Sequence, residues 1–114
     1  MSHDVSINLE DIRDRCLRIA RIASGLSFQQ FIAEEAKHDG LLWNLVVIGE
    51  AVRGVPEDYR VSHCEIEWPK IAGLRNLLVH EYFGISDVTV WDVVQNKIPV
   101  LLQQVQALLN EQAP

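Results

Sequence analysis

The apolar residues in the last quarter of the chain recur at intervals of three and four over several turns, which is the period of one helix face. The positions concerned are Val88, Trp91, Val94, Ile98, Leu101, Val105 and Leu108. Such a stripe predicts an amphipathic helix that must pack against other elements. Ser86 or Asp87 is predicted to cap its start. Pro99 has no N–H, so it is predicted to kink the helix or to begin a second one.

The first part of the chain carries a similar stripe, which predicts a first helix from Leu9 to Ala23. Gly25 follows as a C-terminal cap, since glycine readily adopts the conformation that ends a helix. Ser27 is predicted to cap a short second helix that begins at Phe28.

The third predicted helix, from about Lys37 to Arg53, is apolar on nearly every side. Its core segment is interrupted mainly by Asn44, Gly49 and Glu50. A helix that is apolar all round must be covered all round. In so small a domain the bundle itself covers only part of it, and we assign the remainder to a homodimer interface. Glu50 is either an acid of a functional site or the ion-pair partner of Arg53 one turn on.

No segment alternates with the period of a strand for long, so the prediction is an all-α, up-down bundle of four to five helices. The 114 residues are interpreted as one domain, 1–114. Cys16 and Cys64 have no C-x-x-C spacing and no secretory signal precedes them, which predicts a cytoplasmic protein. No apolar run reaches the length of a membrane span.

Polar side chains are concentrated in Arg75-Asn76-Leu77-Leu78-Val79-His80-Glu81-Tyr82, within another apolar helical run. Pro69 suits the first turn of this helix, and its inner stripe is Ile71, Leu74 and Leu78. Gly73 is predicted to allow the close approach of a neighbouring helix. The stripe would hold one side of the helix, so that Arg75, Asn76 and His80 are displayed on the others.

An arginine and a histidine supply a permanent cation for phosphate and a base that titrates near neutral pH. On a straight helix Arg75 and His80 point about 140° apart, whereas Asn76 shares the face of His80. Either the helix loosens near His80, or two copies of the chain assemble the pair, which we favour. On chemistry alone, the same residues also fit a simple cap of a helix C-terminus.

The pattern Arg75-Asn76-x-x-x-His80-x-Tyr82, followed by Phe83-Gly84, resembles the R-x4-H-x-Y signature of the HepT family of HEPN-domain toxins. The resemblance covers nearly the whole chain. It includes Gly25-Leu26-Ser27-Phe28, Asn44-Leu45-x-x-Ile48-Gly49-Glu50-Ala51 and Trp68-x-x-Ile71-x-Gly73-Leu74-Arg75-Asn76.

The resemblance implies the toxin of a type VII-like toxin-antitoxin pair, a metal-independent endoribonuclease that acts on RNA as a homodimer without a cofactor. His80 would move protons, Arg75 would hold the phosphate and Asn76 would support them. The implied partner is a small nucleotidyltransferase antitoxin, similar to MntA, that transfers AMP from ATP to Tyr82. Otherwise, Tyr82 merely packs.

The formal charge of −6 opposes binding to nucleic acid through bulk electrostatics. A local cluster of Arg75 with Arg53 and Lys70 would compensate. The charge suits a rival interpretation, a non-catalytic nucleotide- or substrate-binding partner of the nucleotidyltransferase. A purely structural helical dimer is the other alternative. His38 and His63 are interpreted as surface residues, and no metal-ligand spacing links them to His80 or the cysteines, so no metal is predicted.

Overall fold

The computed structural model describes residues 3–80 and 86–112, and all the regular secondary structure in these ranges is helical. The all-α prediction is therefore confirmed. The helices are α1 (His3–Ala23), α2 (Phe28–Ala33), α3 (Glu35–Arg53), α4 (Glu57–Ser62), α5 (Trp68–His80), α6 (Asp87–Asp92) and α7 (Ile98–Gln112), with a π-helical turn (Val93–Lys97) between the last two. No helix in the described ranges is long and apolar enough to cross a membrane.

Helix α3 is the centre of the bundle, since it packs against both α1 and α5, while α1 also packs against α7. Helices α1 and α3 run in opposite directions. Asn8 near the start of α1 donates to the carbonyl of Gly54 just after α3, and Arg15 further along α1 donates to Asn44 in the first half of α3. This is the up-down arrangement that the sequence predicts.

Helix α1 begins at His3, six residues before the predicted start at Leu9. The reason is that Val5 extends the apolar stripe by one turn and is almost fully buried. Cys16 lies on the same stripe and has no exposed surface. Burial raises the pKa of its thiol to about 12, so Cys16 is a core residue without a reactive thiolate. The short helix α2 begins as predicted, with a capping box between Ser27 and Gln30.

The irregularity near Pro99 is a π-helical turn rather than a break. The N–H of Ile98 bonds to the carbonyl of Val93, five residues earlier, so the backbone is wider there than in an α-helix. In a regular helix the ring of Pro99 would clash with the carbonyl of Gln95, which lies inside the π turn. The wider turn accommodates the proline, and the helix continues as α7. The predicted interruption therefore falls one turn earlier and in another form.

The predicted surface position of His38 is wrong, because its ring is largely covered. Its Nε2 lies 2.8 Å from Oδ1 of Asp87, at the start of α6, and its Nδ1 lies 3.3 Å from Oδ1 of Asp39. The ring also packs on Phe31, with 4.7 Å between the ring centroids. His38 thus joins α2, α3 and α6 at one end of the bundle.

We expect the stability of this junction to depend on pH. Burial lowers the pKa of His38, but the bonds to Asp87 and Asp39 and their charges outweigh burial and leave the pKa raised above 6.5. A raised folded-state pKa gives stabilisation that is complete below about pH 6.5 and is lost as the pH rises through the folded pKa. Urea unfolding at a series of pH values between about 6 and 9 should show this loss. The His38→Gln variant should lack it, and an unchanged pH profile in that variant would contradict the assignment.

Candidate functional site

The polar side chains of α5 stand on a rigid support. Leu78 is buried, and Ile71 and Leu74 are partly buried against the core, as the predicted inner stripe requires. The helix remains α-helical through His80, so the helix does not loosen there. Arg75 and His80 therefore point about 140° apart in one copy of the chain.

Arg75 sits where α3 and α5 come closest. A Cβ added to Gly49 would overlap the Cβ of Arg75 and would lie 3.2 Å from its Cα, so only glycine fits this position without a shift of one helix. The prediction that Gly73 allows a close approach is wrong, because a Cβ added there would meet nothing within 4 Å. The glycine that the helix contact needs lies on α3.

The guanidinium of Arg75 is held by two neighbours. Its buried Nε lies against Oε1 of Glu50 on α3, and its Nη1 donates to Oδ1 of Asn76 at 3.0 Å. Oε1 of Glu50 also lies 3.7 Å from Nη1 of Arg53. Glu50 is therefore both the ion-pair partner of Arg53 and a neighbour of Arg75 at the candidate site, so its position is compatible with both predicted roles.

Asn76 and His80 are exposed and share one face of α5, four residues apart. His80 is the last residue of α5, and Tyr82, the predicted site of modification, lies outside the described residues. One side of α5 therefore carries a fixed cation, the guanidinium of Arg75. Another side carries the exposed imidazole of His80, with the amide of Asn76 one turn away.

The predicted cation cluster is only partly present. Arg53 reaches the carboxylate that holds Arg75, but Lys70 pairs with Glu67 at 2.8 Å and lies on a different side of α5 from Arg75. The positive charge at the site therefore comes from two arginines on either side of one carboxylate. Two guanidinium groups and one carboxylate carry a net charge of about +1.

An exposed apolar stripe borders this cluster on α3. Trp43, Val46, Val47 and Glu50 fall within a sector of about 100° on the helix surface. Val46 and Val47 are only partly buried, and Trp43 is 61% exposed although it is the largest side chain on α3. Val79, one turn beyond Arg75 on α5, is also exposed. The apolar surface of α3 is thus left incompletely covered in a single copy, as the sequence predicts.

Neither of two surface depressions contains the candidate site. One, of about 380 Å³, lies between α3, α5, the π turn and α7, and the other, of about 540 Å³, lies beside α4 and the start of α5. Arg75, Asn76 and His80 line neither of them.

The remaining histidine that the sequence placed on the surface, His63, is also partly covered. Its ring stacks on Tyr59 with 4.1 Å between centroids, and its Nδ1 lies 3.0 Å from the carbonyl of Tyr59. In the described ranges, no group of three or more His, Cys, Asp or Glu side chains is placed to hold a metal ion. The carboxylate of Glu50, beside Arg75, is a partner of two arginines.

One polar contact at the centre of the bundle was not predicted. Asn44 is the buried polar residue of the core, where it donates to the carbonyl of Gly40 at 2.7 Å and accepts from Nη1 of Arg15 at 3.2 Å. The two bonds satisfy its amide away from water. The sequence indicates such a contact only by placing Asn44 within an otherwise apolar run. It could not identify the partner, Arg15, because that residue lies on another helix.

The fold and the site define a small all-helical domain that displays an arginine and a histidine on one helix, in the pattern of HEPN domains. The sequence profile of the family described as ribonuclease HepT-like matches residues 12–108, and the chain belongs to this family. It is similar to a protein of Caldanaerobacter subterraneus subsp. tengcongensis named "Putative RNase", with 34% identity over 91% of this chain and 93% of the relative.

Two archaeal proteins that are named as ribonucleases are also similar to this chain. A Methanocaldococcus jannaschii protein, also named "Putative RNase", is 32% identical over 95% of this chain and 89% of its own length. A Thermococcus cleftensis protein named "Probable ribonuclease HepT" is 32% identical over 82% of this chain and 84% of its own. No solved structure gives a significant match.

Proposed function

We propose that this protein is a metal-independent endoribonuclease and the toxin of a toxin-antitoxin pair. Membership of the HepT-like ribonuclease family supports this proposal. The observation that carries it is the combination, on one rigid helix, of a guanidinium fixed by Glu50 and Asn76 with the exposed imidazole of His80. These groups supply charge stabilisation and proton transfer without a metal ion.

The reaction would begin with attack of a ribose 2′-hydroxyl on the adjacent phosphorus. The new O–P bond closes a 2′,3′-cyclic phosphate while the bond to the 5′-oxygen breaks. One imidazole removes the proton of the 2′-hydroxyl, and a protonated imidazole gives a proton to the departing 5′-oxygen, so the products are a cyclic phosphate and a 5′-hydroxyl end. Arg75 would stabilise the negative charge that develops on the phosphoryl oxygens, and Asn76 would orient His80 or a phosphate oxygen.

This chemistry supports a homodimer with a shared site. Within one copy Arg75 and His80 diverge by about 140°, whereas a second copy related by a twofold axis could bring its His80 to face Arg75. A dimer also supplies two imidazoles, one as base and one as acid. We propose that the copies meet through the exposed stripe of Trp43, Val46 and Val47, because it is apolar and borders Arg75 through Glu50.

The Trp43→Glu variant is expected to be a folded monomer. Trp43 is mostly exposed in one copy, so the substitution costs the isolated fold little. A carboxylate within an apolar interface would be buried without a partner, and the dimer would dissociate. Light scattering at micromolar concentration measures the change of mass, and cleavage of RNA should fall with it.

Val61→Glu is the matched control. Val61 lies on α4, away from the stripe, and is 70% exposed, so the variant introduces the same charge in place of an exposed apolar residue. It should keep both the mass and the activity of the unaltered protein. A dimer that survives Trp43→Glu, or an unaltered protein that is a monomer at micromolar concentration, would contradict the proposed interface.

The proposed antitoxin is a small MntA-like nucleotidyltransferase that modifies Tyr82. The phenolic oxygen would attack the α-phosphorus of ATP and release pyrophosphate, which leaves AMP on the tyrosine. Because Tyr82 follows His80 by two residues, the added bulk and negative charge would repel and exclude the phosphates of RNA. This part of the proposal is supported by the resemblance of the sequence.

The Tyr82→Phe variant is expected to resist AMP attachment while it still cleaves RNA, because phenylalanine lacks the oxygen that accepts AMP. Incubation with the nucleotidyltransferase and radiolabelled ATP measures attachment. Tyr59→Phe serves as the control and should be labelled like the unaltered protein. Labelling of the Tyr82→Phe protein would show that another residue is modified.

A non-catalytic partner of the nucleotidyltransferase is the second candidate. The formal charge of −6 favours it, as does the ion pairing of Arg53, Lys70 and Arg75 with carboxylates, which reduces their availability to a long polyanion. Under this alternative the dimer binds nucleotide or substrate with Arg75 and His80 and cuts no RNA.

A further inference from the structure

Arg75 is the best buried of the lysine and arginine side chains that form ion pairs in the described residues. Its side chain is 23% exposed, whereas the others are between 36% and 79% exposed. The ion pairs of Arg53, Lys37 and Lys70 join residues only three positions apart in sequence. The pair between Arg75 and Glu50 instead joins two helices, so it restrains Arg75 relative to the core.

Three features of the structure fix the direction of this guanidinium. Gly49 lets the Cα and Cβ of Arg75 rest directly on α3. The next residue, Glu50, then meets the buried Nε, and Asn76 accepts from Nη1. A guanidinium is planar, so contacts at two of its nitrogens set the plane and the direction of the whole group.

The charges around Arg75 leave the cluster able to attract an anion. Glu50 alone would neutralise Arg75, but the same carboxylate oxygen also faces Arg53. The three groups together keep a net charge of about +1, so an anion is still attracted to the cluster. A carboxylate shared by two arginines can therefore orient one of them without cancelling the field that a phosphate would meet.

We propose that Glu50 is a positioning residue, which holds the Arg75 guanidinium in the orientation required to stabilise the charge on the reacting phosphate. The inference rests on the proposed ribonuclease function and deepens it. Preorganised charge is effective because it need not be reoriented during the reaction. Without Glu50, Arg75 would still carry its charge but would sample several rotamers, so catalysis should suffer more than substrate binding.

The test combines kinetics with a readout that needs no activity. In Glu50→Ala, kcat for cleavage of a single-stranded RNA should fall by about 10- to 100-fold with KM little changed, because a small displacement of a catalytic group has effects of this size. Glu50→Gln keeps an oxygen where it can contact Nε and should recover part of the loss. In an Arg75→Ala background, Glu50→Ala should cause no further decrease, which a purely structural role would not predict.

The second readout is the Nε–H resonance of Arg75 in ¹⁵N-labelled protein, assigned by its absence in Arg75→Lys. Burial and the contact with Glu50 should protect this proton from exchange with water, and Glu50→Ala should abolish the protection. Glu34→Ala is the matched control, because Glu34 also pairs with a cation three residues away and is about as exposed as Glu50. It should leave kcat and the resonance unchanged.

The possible outcomes distinguish the positioning role of Glu50 from the proposed ribonuclease function. An active protein whose kcat is unaffected by Glu50→Ala overturns the positioning role and leaves the ribonuclease proposal intact. If the unaltered protein cuts no RNA, the ribonuclease proposal fails, and the resonance still decides whether Glu50 orients Arg75. A resonance that is equally protected in Glu50→Ala overturns the inference in either case. If Glu50→Ala does not fold, Glu50→Met, which has a side chain of similar length and no oxygen to hold Nε, serves for the same comparison.

Discussion

His80→Ala is expected to cleave RNA about 100- to 10,000-fold more slowly than the unaltered protein, the usual contribution of a general acid or base. In the proposed dimer both imidazoles are lost at once, so the effect should lie towards the upper end of this range. His80 is exposed at the end of α5, and its removal should leave the stability of the bundle nearly unchanged. Cleavage of a single-stranded RNA in the presence of EDTA measures the effect and tests metal independence together.

His63→Gln is the control, since His63 packs on Tyr59 away from the candidate site. It should cleave like the unaltered protein.

Expression without the nucleotidyltransferase should stop growth and degrade RNA for the unaltered protein but not for His80→Ala. A harmless unaltered protein that binds nucleotide favours the non-catalytic partner. If Arg75→Ala and His80→Ala change only stability, the chain is a structural dimer. Cleavage that requires a divalent ion contradicts the proposed mechanism.

The helical framework could be predicted from the sequence because it depends on local patterns. The stripe that contains Cys16 predicted α1, Ser27 predicted the start of α2, and the stripe that contains Leu78 predicted the inner side of α5. Each pattern, and its physical cause, lies within one helix and its cap. The residues of the candidate site could be selected for the same reason, since Arg75 and His80 form a short motif.

The contacts between helices could not be predicted, because they join residues far apart in sequence. His38 and Asp87 are separated by 49 positions, and nothing local to either residue indicates the other. The two glycines show the same limit. Gly49 and Gly73 both interrupt apolar helices, but only the packing of α3 on α5 reveals that Gly49 faces the backbone of Arg75 while Gly73 faces open space.

The electrostatic objection to a ribonuclease also changes once these contacts are known. The formal charge of −6 describes the whole chain, whereas an RNA phosphate at the site would meet mainly the groups nearest to Arg75. There the carboxylate of Glu50 lies between two guanidinium groups and leaves a net positive charge. Local attraction by so few cations, together with overall repulsion, predicts weak binding of RNA that depends only moderately on added salt.

Gly49→Ala is expected to destabilise the protein by about 1 to 2 kcal/mol. Alanine in a helix normally gains about 0.5 to 1 kcal/mol over glycine, but a forced overlap in a packed interface costs about 1 to 3 kcal/mol. Here the added Cβ would overlap the Cβ of Arg75 and press on its Cα. Neither atom can move without a shift of α5, so the overlap should outweigh the helix propensity. Urea unfolding at one fixed protein concentration measures the difference.

Gly73→Ala makes the same chemical change on the neighbouring helix, where the new Cβ meets nothing within 4 Å. It should therefore stabilise the protein by about 0.5 to 1 kcal/mol, so the two variants should shift stability in opposite directions.

The shift of α5 in Gly49→Ala should also turn Arg75 away from Glu50 and reduce cleavage by about 10- to 100-fold under conditions where the variant is folded. Equal stability of the two variants would show that α3 and α5 do not meet at Gly49. Full activity of a destabilised Gly49→Ala would show that cleavage tolerates a displaced arginine, and the role assigned to Arg75 would then be wrong.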